Sequence, residues 1–186
     1  MPRTLLCADT HFGHKGMLSP RMPRPRPFET IEAHDEALVA AWNKAVRPDD
    51  IVWHLGDFAY KCRLEYAASI QGRLNGRIHL IRGNHDELGE RLTWAGPIVD
   101  VQRVLVQDPG MPKAVALWAS HYAHVTWPHA WHGDLHVYGH SHGSIPATQT
   151  SLDVGVDCWE WRPVTLGEIK ERMSEAPVTA IATEVR

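Results

Sequence analysis

The chain has 186 residues, a formal net charge of −3 and 44% hydrophobic residues. This hydrophobic share is large enough to bury a core, which excludes a predominantly disordered chain. The acidic balance argues against an extended basic surface that tracks along nucleic acid. The length suits a single domain over residues 1–186, with little sign of order in the tail after about Ala176.

Cysteine and hydropathy patterns restrict the setting of the protein. The three cysteines, Cys7, Cys62 and Cys158, are far apart and predict neither a disulfide framework nor a zinc ribbon. The apolar stretch at residues 5–8 is too short for a signal peptide, and no run is long enough for a membrane span. We therefore expect a cytoplasmic protein. The 13 histidines raise the expectation of a metal site without locating it.

The first half of the chain alternates between short apolar runs and helical patterns. Residues 15–28 are predicted to be loop, because each of their prolines removes a backbone donor and restricts the preceding residue. Helices are predicted where apolar residues recur at helical spacing, and buried strands where short apolar runs end at a turn. The predicted helices are 29–46 and 61–74, and the predicted strands are 4–8, 51–55 and 78–81.

The second half of the chain consists mostly of predicted strands. These are residues 98–106, 114–120, 135–138 and 152–156. Thr165 and Glu168 have the spacing of a capping box, which predicts a last helix from that point. The whole pattern predicts an α/β fold in which two sheets pack face to face with helices outside.

Polar residues of the metal-ligand type follow five of the apolar runs. Because ligands tend to lie beyond the carboxyl ends of strands, these five ends are expected to converge on one point. Alternate residues of an extended segment point the same way, so an Asp-x-His or His-x-His pair offers two side chains to one cavity. The motifs are Asp9-Thr10-His11, Gly56-Asp57, Gly83-Asn84-His85-Asp86, Ser120-His121 and Gly139-His140-Ser141-His142.

The residue types in these motifs suit a centre that holds two metal ions. Imidazole with carboxylate and without thiolate is typical of sites for Mn, Fe, Zn or Ni. Asp57 is a lone carboxylate at a strand end, which suits it to bridge two ions. Two ions about 3.5–4 Å apart hold a phosphoryl group during in-line displacement and activate water at neutral pH. Each motif alone is weak, since a structural role is the commoner explanation of a lone Asp-x-His or Gly-Asp, but the ordered set is more specific.

The ordered set resembles the motifs of the calcineurin-like metallophosphoesterase superfamily over about residues 4–160. The opening Asp9-Thr10-His11-Phe12-Gly13-His14 resembles its small bacterial and phage members in particular. The resemblance implies an αββα four-layer fold, in which two mixed sheets form a sandwich flanked by helices. It also implies two divalent metal ions and a bridging hydroxide, with Mn as the expected metal and Fe, Ni or Zn as alternatives. The first ion would be held by Asp9, His11, Asp57 and His142, and the second by Asp57, Asn84, His121 and His140.

The resemblance also implies roles for residues that contact the substrate. His85 is expected to hydrogen-bond the phosphate and to protonate the leaving group. Asp86 either orients His85 or caps a helix, and His14 and Asn84 are expected to contact the substrate phosphate. His121 is the weakest match, because three neighbouring histidines compete for its role: His124, His129 and His132.

Several residues outside the motifs keep more than one interpretation. Arg21, Arg24 and Arg26 form either a solvated basic loop, which we favour, or a rim that steers phosphate. His54 and His79 lie within strands and are expected to be buried and hydrogen-bonded. Four tryptophans provide either core and edge packing, the commoner case, or the wall of a substrate groove: Trp127, Trp131, Trp159 and Trp161.

The sequence thus predicts a metal-dependent phosphoester hydrolase, with small or nucleotide-derived phosphodiesters as the expected substrates. A phosphomonoesterase with the same centre is the nearest alternative. A non-catalytic metal-binding scaffold is disfavoured by the presence of His85 and all seven ligands. A nuclease is restricted to short or end substrates, because the small acidic chain leaves little room for a duplex groove. Monomer and homo-oligomer both stay open.

Overall fold

A computed structural model of the chain describes residues 2–177, which form eight strands and three α-helices. The expectation about the tail after Ala176 falls largely on residues 178–186, which lie outside the described range. The helices are α1 (Ile31–Ala45), α2 (Leu64–Gln71) and α3 (Leu166–Glu175). The strands are β1 (Thr4–Cys7), β2 (Ile51–His54), β3 (Arg77–Leu80), β4 (Val101–Val106), β5 (Val115–Ser120), β6 (Leu135–Tyr138), β7 (Ser151–Asp153) and β8 (Val164–Thr165).

The strands form two mixed four-stranded sheets. The first has the order β3-β2-β1-β8, in which β1, β2 and β3 are parallel and β8 is antiparallel to β1. The second has the order β4-β5-β6-β7, in which β5, β6 and β7 are parallel and β4 is antiparallel to β5. Two mixed sheets flanked by helices confirm the predicted fold class.

Alternating side chains of β1 and of Ala8, the residue that follows it, separate two hydrophobic clusters. Leu6 and Ala8 belong to the cluster between the sheets, together with residues of the second sheet and of α3. Leu5 and Cys7 point to the opposite face and pack in the cluster beneath α1 and α2. Because successive side chains of a strand face opposite sides, one short apolar run supplies both clusters.

The helix ends follow from capping chemistry. The side chain of Thr30 accepts a hydrogen bond from the backbone N–H of Ala33, which starts α1. Thr165 and Glu168 form the predicted capping box at the start of α3. α3 contacts β1, β7 and β8.

None of the helices among residues 2–177 is both long and apolar enough to cross a membrane.

Several predicted boundaries differ from the structure. The loop predicted at 15–28 begins with a 3₁₀ turn at Lys15–Leu18. The strand predicted at 152–156 ends at Asp153, and Val156 starts another 3₁₀ turn, Val156–Cys158. The strand β8 was not predicted, because its two residues give no periodic pattern.

Candidate metal centre

Six of the predicted ligands form two compact groups in which the ligand atoms lie within 4.8 Å of one another. The residues follow the carboxyl ends of β1, β2, β5 and β6, so the parallel strands of both sheets direct them to one place. Asn84 and His140 are exposed, which leaves this place open to solvent. The first group is Asp9, His11 and His142, and the second is Asp57, His121 and His140.

Asp57 connects the two groups. Its Oδ2 lies 3.5 Å from Nε2 of His11 in the first group and 3.6 Å from Nε2 of His121 in the second. The seventh predicted ligand, Asn84, places its Oδ1 3.0 Å from Nε2 of His121. One carboxylate therefore faces both groups, as a bridge between two ions requires.

Five of the seven residues have a backbone φ in the left-handed region, between 47° and 63°. Such angles are uncommon outside glycine, cost about 1–3 kcal/mol each, and persist only where surrounding contacts impose them. Here backbone hydrogen bonds impose them, including His11 N–H to the carbonyl of Asp57 at 2.9 Å. The backbone N–H of His140 also donates to Oδ2 of Asp9 at 2.9 Å. The five residues are Asp9, His11, Asp57, His140 and His142.

Gly56 permits the close approach of the strand ends around Asp57. It has a φ of +92°, and a Cβ at this position would lie 2.6 Å from the backbone nitrogen of Gly83 and from Nδ1 of His121. Any larger residue would therefore push apart two of the segments that carry the ligands.

The charges of the first group favour a bound cation. Burial raises the pKa of Asp9 well above its ordinary value, and the neighbouring carboxylates of Asp153 and Asp57 raise it further. Burial also lowers the pKa of His11, with further lowering by the charge of Arg26. Crowded carboxylates and neutral imidazoles are stabilised when a metal ion supplies positive charge. Both ring nitrogens of His11 are buried and have no hydrogen-bond partner within residues 2–177.

Hydrogen bonds fix which ring nitrogen two of the histidines present. The backbone carbonyl of Leu55 lies 2.7 Å from Nδ1 of His121, and the carboxylate of Asp157 lies 2.8 Å from Nδ1 of His142. Since both partners only accept hydrogen bonds, each Nδ1 carries a proton, which leaves Nε2 as the nitrogen of each ring that could bind metal. This is the usual arrangement of histidines that bind metals, so the donor set fits divalent ions.

His85 lies beside the first group. Its backbone N–H donates to Oδ1 of Asp57 at 2.8 Å, which ties it to the proposed bridging residue. Its half-buried ring lies 4.1 Å from the ring of Tyr60 and 5.8 Å from that of His11, measured between centroids. The imidazole is therefore adjacent to the candidate metal ligands and reachable by a substrate.

Asp86 has a different role from the two that the sequence suggested. Its carboxylate accepts hydrogen bonds from the backbone N–H groups of Asp57, Phe58 and Gly83, at 2.7–2.9 Å. It is fully buried, and its pKa is raised by that burial, although these hydrogen bonds oppose the rise. Asp86 thus joins the segment after β2 to the segment after β3, rather than orienting His85 or capping a helix.

In the first loop, His14 lies beside His11, and Arg26 differs from its prediction. His14 is half-buried, its ring lies 5.4 Å from that of His11, and burial together with Lys61 lowers its pKa to about 4. Arg24 is exposed and donates to the carbonyls of His142 and Gly143. The interpretation of Arg26 as a solvated loop residue is wrong, because it is buried and paired with Asp157.

The four tryptophans expected either to pack or to line a substrate groove differ in their burial. Trp159 is buried and Trp161 packs against Phe28, whereas Trp131 is 58% exposed. The half-buried Trp127 donates from Nε1 to the carbonyl of Asp134.

His54 and His79 were both predicted to be buried and hydrogen-bonded. His54 is buried and bonded to the hydroxyl of Thr10, as predicted. His79 is only half-buried and stacks on Trp53 with centroids 4.5 Å apart.

Two supporting carboxylates escaped the sequence analysis. Asp153 accepts hydrogen bonds from the hydroxyl of Ser141 and the backbone of Gly143, and therefore holds the turn that contains His142. Asp157 binds the ring of His142 directly. In the sequence Asp153 lies inside the predicted strand 152–156 and follows a single apolar residue, so it lacks the signal of the predicted ligands, which follow an apolar run.

The fold and the two His/Asp groups are typical of metal-dependent hydrolases that hold two ions. Comparison with known proteins supports this class and defines it further. The sequence model of the calcineurin-like phosphoesterase family matches residues 2–144. The chain therefore belongs to the calcineurin-like phosphoesterase family, whose activity is metal-dependent phosphoester hydrolysis.

Individual relatives agree with this assignment. An uncharacterized protein of Methanocaldococcus jannaschii is 30% identical over 184 residues, which cover 96% of this chain and 95% of that protein. The gene 66 protein of Mycobacterium phage L5 is 26% identical over an alignment of 196 positions, which covers 86% of this chain and 88% of that protein. The crystal structure of a protein of unknown function from Aquifex aeolicus has a TM-score of 0.63 and 22% identity. It covers 92% of this chain and 99% of that one, and it supports the fold.

Proposed function

We propose that this chain is a phosphodiesterase that acts on small or nucleotide-derived diesters with two divalent metal ions, Mn²⁺ being the expected metal. The observation that carries the proposal is the position of Asp57, whose Oδ2 lies within 3.6 Å of a histidine nitrogen from each of the two groups. A carboxylate shared in this way is the central feature of a two-ion site.

Each ion would have four ligands, one of them shared. When bound, the ions would neutralise phosphoryl oxygens and lower the pKa of water, which supplies the nucleophile. The first would be held by Asp9, His11, Asp57 and His142, and the second by Asp57, Asn84, His121 and His140.

The chain's own residues would bind the phosphate and move the proton. His85 is held by its backbone to Asp57 and presents a half-buried ring beside the first group, so it suits hydrogen bonding to the phosphate and protonation of the leaving oxygen. His14, on the other side of His11, and the exposed Asn84 suit contacts with the remaining phosphate oxygens.

The engagement of the nearby arginines supports diesters over monoesters. A monoester carries a charge of roughly −1.5 to −2 at pH 7, whereas a diester carries about −1. Arg26 is paired with Asp157, and Arg24 donates to two backbone carbonyls. Because the charge of Arg26 is already balanced by Asp157 and, of these two arginines, only Arg24 keeps a charge uncompensated within residues 2–177, a substrate of lower charge matches the site better.

Reconstitution with metal tests the proposal. Protein stripped with a chelator should bind two Mn²⁺ ions per chain and regain activity, with a higher kcat/KM on bis-p-nitrophenyl phosphate than on p-nitrophenyl phosphate. A panel with 2′,3′-cyclic nucleotides would refine the substrate, and Fe²⁺, Ni²⁺ and Zn²⁺ would be compared with Mn²⁺. Faster monoester cleavage would overturn the diester assignment. Cleavage of oligonucleotides at a higher rate than either small ester would indicate a nuclease. Binding of less than one ion per chain would favour a scaffold.

A further inference from the structure

The guanidinium of Arg26 is completely buried beneath the first group of candidate ligands, with its side chain 0% exposed. An arginine guanidinium has five N–H donors and no acceptor. The structure supplies five acceptor contacts at 2.6–3.0 Å, so every donor is used. The acceptors are both carboxylate oxygens of Asp157, the carbonyls of Asp9 and Thr10, and Nε2 of His34.

The pairing with Asp157 reaches a candidate metal ligand. Oδ2 of Asp157 accepts from Nη2 of Arg26 at 2.7 Å and from Nδ1 of His142 at 2.8 Å. Because this oxygen is shared, the position of the carboxylate is set by Arg26, and the tautomer of His142 is set by the carboxylate. Nε2 of His142 is thereby left as the nitrogen that can bind metal.

The two carbonyl contacts act on the other ligands of the same group. Nη2 of Arg26 donates to the carbonyl of Asp9 at 2.6 Å, and Nη1 donates to that of Thr10 at 3.0 Å. These peptides connect Asp9 to His11, both of which have left-handed φ values of 58° and 49°. Arg26 therefore contacts the segment whose unusual backbone directs two ligands toward one point.

A buried chain of hydrogen bonds anchors Arg26 on the opposite side. Since a guanidinium only donates, Nε2 of His34 accepts, and its Nδ1 donates to Oδ1 of Asp35 at 2.6 Å. Oδ2 of Asp35 accepts from the hydroxyl of Tyr66 at 2.7 Å and from the backbone of Gly13 at 2.8 Å. Helices α1 and α2 thus hold the guanidinium in place from below.

We propose that Arg26 is a positioning residue of the metal centre. Through Asp157 it sets the ring of His142, and through two carbonyls it sets the Asp9–His11 segment. This inference rests on the proposed function, because it takes the first group as a metal site. The second group has separate support, since His121 is oriented by the carbonyl of Leu55. Loss of the Arg26–Asp157 pair should therefore weaken the binding of the first ion much more than that of the second.

Calorimetric titration of metal-stripped protein with Mn²⁺ tests the inference without measuring activity. Asp157→Asn keeps the shape but replaces one acceptor oxygen by an amide. Wild type should bind two ions, and Asp157→Asn should bind one of them about 10- to 100-fold more weakly. Arg26→Lys should have the same effect, because an ammonium cannot reproduce the paired contacts of a guanidinium.

The tautomer of His142 provides a second readout that needs no metal. Nitrogen-15 NMR of the metal-free protein should show the proton on Nδ1 of His142 in wild type and lose this single tautomer in Asp157→Asn. A merely structural role of the pair would lower the melting temperature without this change. If Arg26→Lys fails to fold, Asp157→Asn decides the question.

A matched pair on the second sheet provides the control. Arg103 donates two hydrogen bonds to Asp134, at the start of β6 and away from its ligand-bearing end. Asp134→Asn should leave both Mn²⁺ affinities and the tautomer of His142 unchanged. Wild-type affinities and tautomer in Asp157→Asn would overturn the inference. Failure of wild type to bind two ions would instead overturn the proposed function, and the tautomer would still test Arg26 and Asp157.

Discussion

Gly83→Ala tests whether the backbone packs tightly around the proposed bridging carboxylate. A Cβ at Gly83 would lie 2.5 Å from the backbone nitrogen of Asp57 and 3.0 Å from the carbonyl carbon of Gly56, and it would overlap Oδ1 of Asp57. Two of these are backbone atoms, and both segments are tied to the carboxylate of Asp86. The overlap therefore cannot be relieved by rotation of a flexible side chain, and Asp57 must move.

The expected cost follows from this overlap. Inserting a methyl group into a well-packed interior typically costs about 1–3 kcal/mol. In a chain of this size each kcal/mol lowers the melting temperature by about 2–4 °C, which gives a fall of roughly 2–12 °C. Displacement of Asp57 should also weaken the binding of Mn²⁺. The expected loss of affinity is about 10- to 100-fold, the range typical for loss of a hydrogen bond that supports a metal ligand.

Scanning calorimetry of the metal-free protein, followed by titration with Mn²⁺, measures both effects. Gly167→Ala is the control, since a Cβ there meets only the hydroxyl of Thr165 at 3.8 Å and lies in the first turn of α3. That variant should keep its Mn²⁺ affinity and melt at an equal or higher temperature. An unchanged melting temperature and Mn²⁺ affinity in Gly83→Ala would refute the packing argument.

Three further predictions concern the proposed acid, a helix cap and the ion pair between Arg3 and the buried Asp50. His85→Ala should keep its metal content, measured by elemental analysis, and lose about 10²- to 10⁴-fold in kcat; an unchanged kcat would remove His85 from the mechanism. Thr165→Ala deletes the capping box and should cost about 1 kcal/mol in urea unfolding without changing the Mn²⁺ affinity. Burial alone would raise the pKa of Asp50, but hydrogen bonds from Arg3 and Arg47 lower it to about 2. Because its folded pKa is depressed, this carboxylate stabilises the protein above pH 3.8, and the contribution is lost as the pH falls toward 2. The difference in unfolding free energy between wild type and Asp50→Asn should therefore shrink over that range; a constant difference would contradict the assignment.

Much of the fold was predictable because the strands of its core are short apolar runs with clear ends. β6 was predicted with the bounds that the structure has, and β5 within one residue of them. Parallel strands place their carboxyl ends at one edge, so the polar residues after them were expected to meet. The structure brings Asp9, Asp57 and His140 together in this way.

The supporting contacts were not predictable for a physical reason. Asp86 follows a turn-forming Gly-Asn pair, and local sequence does not reveal that its carboxylate accepts three backbone N–H groups. Two of these groups, at Asp57 and Phe58, lie 29 and 28 residues away in sequence. Such a role depends on how two strands are placed side by side, and a local pattern carries no information about that.

Arg26 illustrates the same limit at longer range. In the sequence it is one of several arginines between prolines, and a charged side chain in such a segment is usually solvated. Its carboxylate partner, Asp157, lies 131 residues away, and burial of the pair becomes favourable only because every donor finds an acceptor. The same reasoning applies to the left-handed φ angles of Asp9 and His11, which are uncommon even for Asp and His and cannot be read from the local sequence. The residues that shape the first group are thus those whose conformation the tertiary structure imposes, and for this reason Arg26 and Asp157 were found only in the structure.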